Sequence, residues 1–158
     1  MKASGRVLVA GIGNVFLGDD GFGCEVARTL AARPHGEEVE ICDFGTRGVD
    51  LAYELSAGWS AVIFIDAAQR GGDPGTLYLI DPQSLGAPAA MDGHELRLHQ
   101  VLPTARQLGA LPHHLRLVAC EPSTTDGPDA GVGLSGPVAA AVAPAAALVE
   151  SLVRWCTP

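Results

Sequence analysis

The chain has 158 residues, a length that suits one domain of ordinary size, and we expect a single domain over 1–158. Hydrophobic residues make up 47% of it and charged residues 18%, a balance that argues against intrinsic disorder. Acidic residues outnumber basic ones by 18 to 10, and the net charge of −8 makes nucleic acid and anionic membrane surfaces poor partners.

The first half of the chain alternates predicted strands and helices. An apolar run over 6–13 ends in glycines and predicts a first buried strand. After a loop, apolar residues at helical spacing predict a helix that ends near residue 33. A second strand, a short helix and a third strand are predicted over 38–43, 49–57 and 61–66. The third strand is apolar on both faces, so we expect it in the centre of a parallel sheet.

The second half begins with a strand that reverses direction. The turn residues of 70–75 precede a fourth strand over 76–81, and too few residues separate the third and fourth strands for a crossover helix. We therefore expect these two strands to form an antiparallel pair, with the fourth at an edge. A third helix, a fifth strand and a last helix, with Ser135 as its N-cap and a bend at Pro144, follow over 98–108, 115–120 and 135–156. This order predicts a three-layer α/β/α sandwich with a mostly parallel five-stranded sheet and one antiparallel edge strand, as in phosphorylase- and hydrolase-like domains.

Polar residues at the carboxyl ends of the strands are the first candidates for a site, because open α/β sheets bind ligands there. Asp20, Asp43 and Asp66 follow the first three strands, and His94 precedes the third helix. Carboxylates and an imidazole are suitable ligands for a divalent metal. The same ends of the strands also carry Asn14, Asp19, Thr46 and Glu121.

Several of these residues have a structural alternative. Either Asp19 or Asp20 is expected to cap the first helix, which leaves the other carboxylate for a site. Asp43 begins a sequence typical of an Asx turn. His99 competes with His94 as a ligand, since it lies near the start of the third helix.

Other kinds of site are disfavoured. The glycine spacing of 11–18 is G-x-G-x-x-x-x-G rather than that of a dinucleotide fingerprint, and the acids that follow would repel a pyrophosphate. No nucleophile-elbow motif and no C-x-x-C pair is present, so covalent catalysis is disfavoured. Cys120, at the end of a predicted strand, is the one cysteine singled out for inspection. The cysteines are typical of a reduced cytoplasmic protein, and the longest apolar stretch, 138–149, is too short to span a membrane.

The order of the motifs resembles one known family. The segment 11–23, Gly-Ile-Gly-Asn-Val-Phe-Leu-Gly-Asp-Asp-Gly-Phe-Gly, is similar to the N-terminal signature of the NiFe-hydrogenase maturation endopeptidases. The resemblance extends over residues 6 to 153 and includes Asp-Phe-Gly-Thr at 43–46, Phe-Ile-Asp-Ala at 64–67, His94 and Gly-Leu-Ser at 133–135. Asp20 stands where many relatives have glutamate, and Phe44 replaces the first glycine of the family's usual Asp-Gly-Gly-Thr.

The resemblance implies a cytoplasmic hydrolase, an aspartic-type endopeptidase that removes a C-terminal extension from the hydrogenase large-subunit precursor after nickel insertion. It assigns both catalysis and metal contact to Asp20, Asp66 and His94. Supporting roles fall to Asn14, Asp19, Asp43 and Thr46. The nickel is expected to arrive with the substrate, and no nucleotide, nucleic acid or membrane is implied. The alternatives are a nucleotide or small-molecule binding domain of the doubly wound type, and a scaffold that binds the precursor without cleaving it.

Overall fold

Strands and helices alternate in the computed structural model, which describes residues 5–84, 95–123 and 132–157. The strands are β1 (Val7–Ile12), β2 (Val39–Gly45), β3 (Ala61–Ala67), β4 (Leu77–Ile80) and β5 (His114–Cys120). The α-helices are α1 (Phe22–Ala31), α2 (Gly48–Leu55), α3 (Glu95–Leu108) and α4 (Gly136–Cys156). Short 3-10 turns cover Gly18–Gly21 and Pro82–Ser84.

The five strands form one sheet in the order β2-β1-β3-β5-β4. The pairs among β2, β1, β3 and β5 are parallel, and β4 pairs antiparallel with β5 at the edge. The predicted fold class is therefore confirmed, but the predicted pairing of the third and fourth strands is wrong, because β5 lies between them. The connection 68–76 readily crosses the roughly 10 Å that two strand spacings require.

Two helical layers cover the two faces of the sheet, and β1 shows why. Alternate side chains of a strand point to opposite faces. Leu8, Ala10 and Ile12 face a core shared with α2 and α3, whereas Val7 and Val9 face a core shared with α1 and α4. All seven residues of β3 are buried, as expected of a central strand covered on both faces.

The last helix has the bounds that the sequence predicts. It runs as one helix from Gly136 to Cys156 with Pro144 inside it. Within the described ranges, α4 is the one helix whose length and composition would suffice to cross a membrane. Its face consisting of Val138, Ala141, Ala145, Ala146 and Val149 is buried, and most of these residues are small enough for close packing on the sheet.

The contact between α1 and the sheet depends on glycine. A Cβ on Gly23 would lie 2.1 Å from the carbonyl oxygen of Ile65 and 2.3 Å from that of Ile12. The first turn of α1 therefore rests directly on the backbones of β1 and β3. Gly13, with φ of +147°, ends β1 where a Cβ would lie 1.9 Å from the carbonyl oxygen of Asp20. Both positions exclude a side chain.

Gly23→Ala is expected to lower the free energy of unfolding by about 2–3 kcal/mol, since α1 must move away from the sheet to admit the methyl group. Urea denaturation measures the change. Gly136→Ala is the matched control, because a Cβ there meets no atom within 4 Å. Equal stability of the two variants would contradict the close contact.

Candidate functional site

The carboxyl ends of β1 and β3 define the candidate site. The connection after β1 leads to β2 on one side, while the chain after β3 proceeds towards β5 and β4 on the other. Such a switch point leaves a crevice in which doubly wound sheets bind ligands. Asp20 lies in the turn Gly18–Gly21, which packs against β3, and Asp66 lies near the end of β3 itself. The two side chains are buried, with 2% and 3% exposure.

Asp20 is held by a hydrogen-bonded loop. The backbone N–H of Asn14 donates to its Oδ2 over 3.0 Å, and its own N–H donates to the Leu17 carbonyl over 3.1 Å. The prediction that an aspartate caps the first helix is wrong, because α1 begins at Phe22 with Gly21 at its N-cap. Asp20 instead lies in the 3-10 turn ahead of α1, where its carboxylate accepts the N–H of Asn14.

Asp66 is held by the strand that carries it. The N–H of Ala67 donates to its Oδ1 over 2.8 Å. In the parallel register Asp66 lies opposite Ala119 of β5, and the preceding Ile65 lies opposite Gly11 of β1. The backbone that positions Asp66 is therefore the same backbone on which the first turn of α1 rests.

The predicted histidine ligand, His94, lies outside the described residues. Among the residues that the structure describes, no three His, Cys, Asp or Glu side chains form a group that could hold a metal ion. His99, the competing ligand, lies beyond the first turn of α3 and does not join Asp20 and Asp66 in such a group.

Asp43, in β2, and Thr46, just after the strand, lie at the carboxyl end of β2. The N–H of Gly45 donates to Oδ1 of Asp43 over 2.9 Å, which confirms the predicted Asx turn. Arg28 of α1 lies 3.7 Å from Oδ2 of Asp43. Phe44, the departure from the family pattern, buries its ring in the core beneath α2 and α3. Thr46 is exposed on a groove of about 350 Å³ that extends between α2 and α3.

Asp19 has a structural role that its neighbour does not share. Its Oδ2 accepts hydrogen bonds from the Ser123 N–H over 2.9 Å and the Ser135 hydroxyl over 2.8 Å, and its Oδ1 accepts the Ser135 N–H over 2.7 Å. Ser135 occupies the N-cap position of α4 as predicted, but its side chain makes no capping bond within α4. Asp19 therefore fixes the start of α4 to the turn that carries Asp20.

Cys24 is a residue of the site that the sequence analysis missed. It lies buried on α1, one turn after Asp20, and its thiol donates to the Gly13 carbonyl over 3.5 Å. Burial, reinforced by the carboxylates of Asp43 and Asp66, raises the pKa of the Cys24 thiol to about 12. No local sequence pattern marks it, because the carboxylates around it come from β2 and β3.

Cys120, the one cysteine that the sequence singled out for inspection, lies in the edge region of the sheet. It is buried, its thiol contacts the Glu121 carbonyl at 3.7 Å, and burial raises its pKa to about 12. The Glu121 carboxylate accepts the backbone N–H groups of Arg70 and Gly71 and the hydroxyl of Tyr78, so it fixes the loop before β4. Both residues therefore stabilise the edge of the sheet.

Comparisons with known proteins agree on one family. The sequence model described as hydrogenase maturation protease matches residues 24–152. The hydrogenase expression/formation protein HupD of Bradyrhizobium diazoefficiens is 35% identical over 156 residues, which cover 95% of this chain and 79% of HupD.

Two solved structures have the same fold. The hydrogenase maturating endopeptidase HybD from Escherichia coli matches with a TM-score of 0.79 at 30% identity, covering 94% of this chain and 92% of HybD. The hydrogenase 2 maturation peptidase from a Thaumarchaeota archaeon matches with a TM-score of 0.69 at 36% identity, covering 93% and 97% of the two chains.

Asp19→Ala is expected to lower the free energy of unfolding by about 3 kcal/mol, because two backbone N–H groups lose a buried acceptor. Urea denaturation followed by circular dichroism measures the loss. Ser135→Ala removes only the hydroxyl and is expected to cost about 1 kcal/mol. Indistinguishable losses in the two variants would contradict the role assigned to Asp19.

The cysteines are expected to differ in reactivity. Burial raises the pKa of all four thiols above the ordinary value, but only Cys42 and Cys156 are partly exposed. At pH 9 iodoacetamide should therefore label these two in the folded protein faster than the buried Cys24 and Cys120, which should stay unmodified. Peptide mass spectrometry identifies the labelled sites. A raised pKa keeps the proton on the thiol, so this protection should persist past pH 9 and fade as the pH approaches 12. Labelling of native Cys24 at the rate found in urea would refute its assignment as a protonated thiol.

Proposed function

This chain belongs to the hydrogenase maturation protease family, and from that premise we propose that it removes the C-terminal extension of a hydrogenase large-subunit precursor once nickel has been inserted. The chain is accordingly a peptidase. The observation that carries the proposal is the pair of buried carboxylates, Asp20 and Asp66, at the switch point of the sheet.

The chemistry of the donor set fits a nickel ion brought by the substrate. Carboxylate oxygen and imidazole nitrogen are ligands that divalent first-row metals accept. Asp20 and Asp66 supply the oxygens, and His94 is the proposed nitrogen donor. Three protein ligands leave coordination positions for groups that the nickel already has in the precursor. In this proposal the residues bind the substrate's nickel and thereby distinguish nickel-loaded from nickel-free precursor.

Water is the proposed attacking group. A covalent route needs an activated side chain, and the neighbouring candidates are unsuited to it. The Cys24 thiol is held protonated by burial, and the Ser135 hydroxyl donates to Asp19, which is itself engaged by two backbone N–H groups. In the proposed hydrolysis, water adds to the scissile carbonyl, the C–N bond breaks, and the leaving amine takes up a proton. A carboxylate of the site accepts the proton from water.

The groove beside β2 offers the polypeptide a path to the carboxylates. It begins at Ile12 and Gly45, which lie opposite each other in the β1–β2 register at the carboxyl edge of the sheet. Thr46 lies on its rim, and Val101 of α3 supplies part of its apolar wall. We assign this groove to residues of the precursor next to the scissile bond.

Two further elements belong to the proposal. We place the reaction in the cytoplasm, a location supported by four unpaired cysteines, which are typical of reducing compartments. The alternative of a nucleotide-binding domain is disfavoured, because Asp19 and Asp20 occupy the helix entrance where a pyrophosphate would need to lie.

Asp20→Asn, Asp66→Asn and His94→Ala are each expected to slow removal of the extension at least about 100-fold, since each removes a group that contacts the reacting centre. Mass spectrometry of nickel-loaded precursor incubated with each variant measures the loss of the C-terminal peptide. Nickel-free precursor should be left intact by the wild type.

Asp50→Asn is the matched control, because this exposed carboxylate lies on α2 and pairs only loosely with Arg47 at 3.5 Å. Cys24→Ala should also retain cleavage. Circular dichroism establishes that each variant is folded. Wild-type rates in all three site variants would overturn the assignment of the site. Equal cleavage of nickel-loaded and nickel-free precursor would overturn the proposal that the protein recognises nickel.

A further inference from the structure

The loop between β1 and the Asp20 turn exposes two large apolar side chains. Phe16 is 74% exposed and Leu17 is 56% exposed, and we call these two adjacent residues the apolar tip. Isolated exposed hydrophobic residues are common on protein surfaces, whereas contiguous exposed apolar patches mark interaction sites. The apolar tip lies at the edge of the sheet that carries Asp20 and Asp66.

The apolar tip is hydrogen-bonded to the site. The N–H of Phe16 donates to Oδ1 of Asn14 over 3.0 Å, and the N–H of Leu17 donates to the Asn14 carbonyl over 3.1 Å. The N–H of Asn14 in turn donates to Oδ2 of Asp20 over 3.0 Å. Asn14 therefore fixes the apolar tip relative to Asp20, so a molecule bound at the tip has a defined position relative to the carboxylate.

A cavity adjoins the loop on its other side. Its volume is about 480 Å³, and Val15 and Gly18, the residues that flank the apolar tip, line it. Val132, 78% exposed, and Val142 of α4 form part of its apolar wall. The cavity gives room for apolar side chains of a molecule that rests on the tip.

We propose that the apolar tip docks an apolar segment of the precursor polypeptide and so positions the scissile bond at Asp20. The inference rests on the proposed function, which supplies a polypeptide substrate to this edge. A polypeptide is favoured over an anionic lipid, because the chain carries a net charge of −8 and buried carboxylates lie on the same loop. The apolar tip acts in binding and takes no part in bond cleavage.

The test is steady-state cleavage of nickel-loaded precursor by the double variant Phe16→Ser, Leu17→Ser. Its KM should rise about tenfold or more, as for truncation of an apolar anchor at an interface, while kcat stays within about twofold of the wild type. The dissociation constant for the precursor, measured by interferometry, should rise in parallel. Leu79→Ser and Trp155→Ser are the controls, since both remove an exposed apolar side chain away from this edge and should leave KM unchanged.

The outcomes separate the docking surface from the proposed function. An unchanged KM and dissociation constant in a folded double variant, while the wild type cleaves, would overturn the docking surface alone. Wild-type protein that binds the precursor without cleaving it would overturn the proposed function, and the change in dissociation constant would then decide the docking surface. Wild-type protein that does not bind precursor would overturn both. Adsorption to phosphatidylglycerol vesicles that the double variant loses would make the tip a membrane contact and overturn the proposal.

Discussion

The close contact between α1 and the backbones of β1 and β3 is the constraint on which the site depends. A Cβ on Gly11 would lie 2.5 Å from the Gly23 carbonyl oxygen, and a Cβ on Gly23 would meet the carbonyl oxygens of Ile12 and Ile65. With no side chain on either residue, α1 can start directly above the carboxyl ends of the two strands. The turn that precedes α1 then brings Asp20 to the strand that carries Asp66. A longer distance between helix and sheet would separate the two carboxylates.

Neighbouring aspartates divide the structural and chemical roles. Asp19 faces the loop before α4 and the start of α4, where backbone donors satisfy its carboxylate. Asp20, the next residue, accepts instead the N–H of Asn14, which follows β1. Successive residues of a tight turn point in different directions, so one turn can attach a distant helix and present a carboxylate at once. This coupling means that an Asp19 variant disturbs the site through the fold, and its activity must be judged together with its stability.

The sequence predicts features that local patterns determine and misses those that depend on distant partners. The Asx turn of Asp43 and the buried central strand are local and were predicted correctly. The position of β4 depends on β5, which follows it in the chain. The length of the loop between the third and fourth strands could therefore not identify the partner of β4. Asp19 accepts hydrogen bonds from Ser123 and Ser135, which follow it by 104 and 116 positions in the chain. Because these partners are so distant, its neighbours in sequence indicated only a helix cap. The contacts of Cys24 arise only when β2 and β3 bring their carboxylates to α1.

The electrostatics of the crevice and the apolar tip would contribute differently to substrate recognition. Burial is the main cause of the raised pKa of the Cys24 thiol, and the carboxylates of Asp43 and Asp66 raise it further through their negative charge. A negative potential favours a divalent cation, so under the proposed function the carboxylates of the site would bind nickel-loaded precursor more tightly than nickel-free precursor. The apolar tip would contact polypeptide that both forms share, and an interaction equal in two states raises affinity without shifting the preference between them. On the proposed function, the Phe16–Leu17 contact therefore supplies affinity for the precursor, and the carboxylates supply the discrimination that delays cleavage until nickel is present.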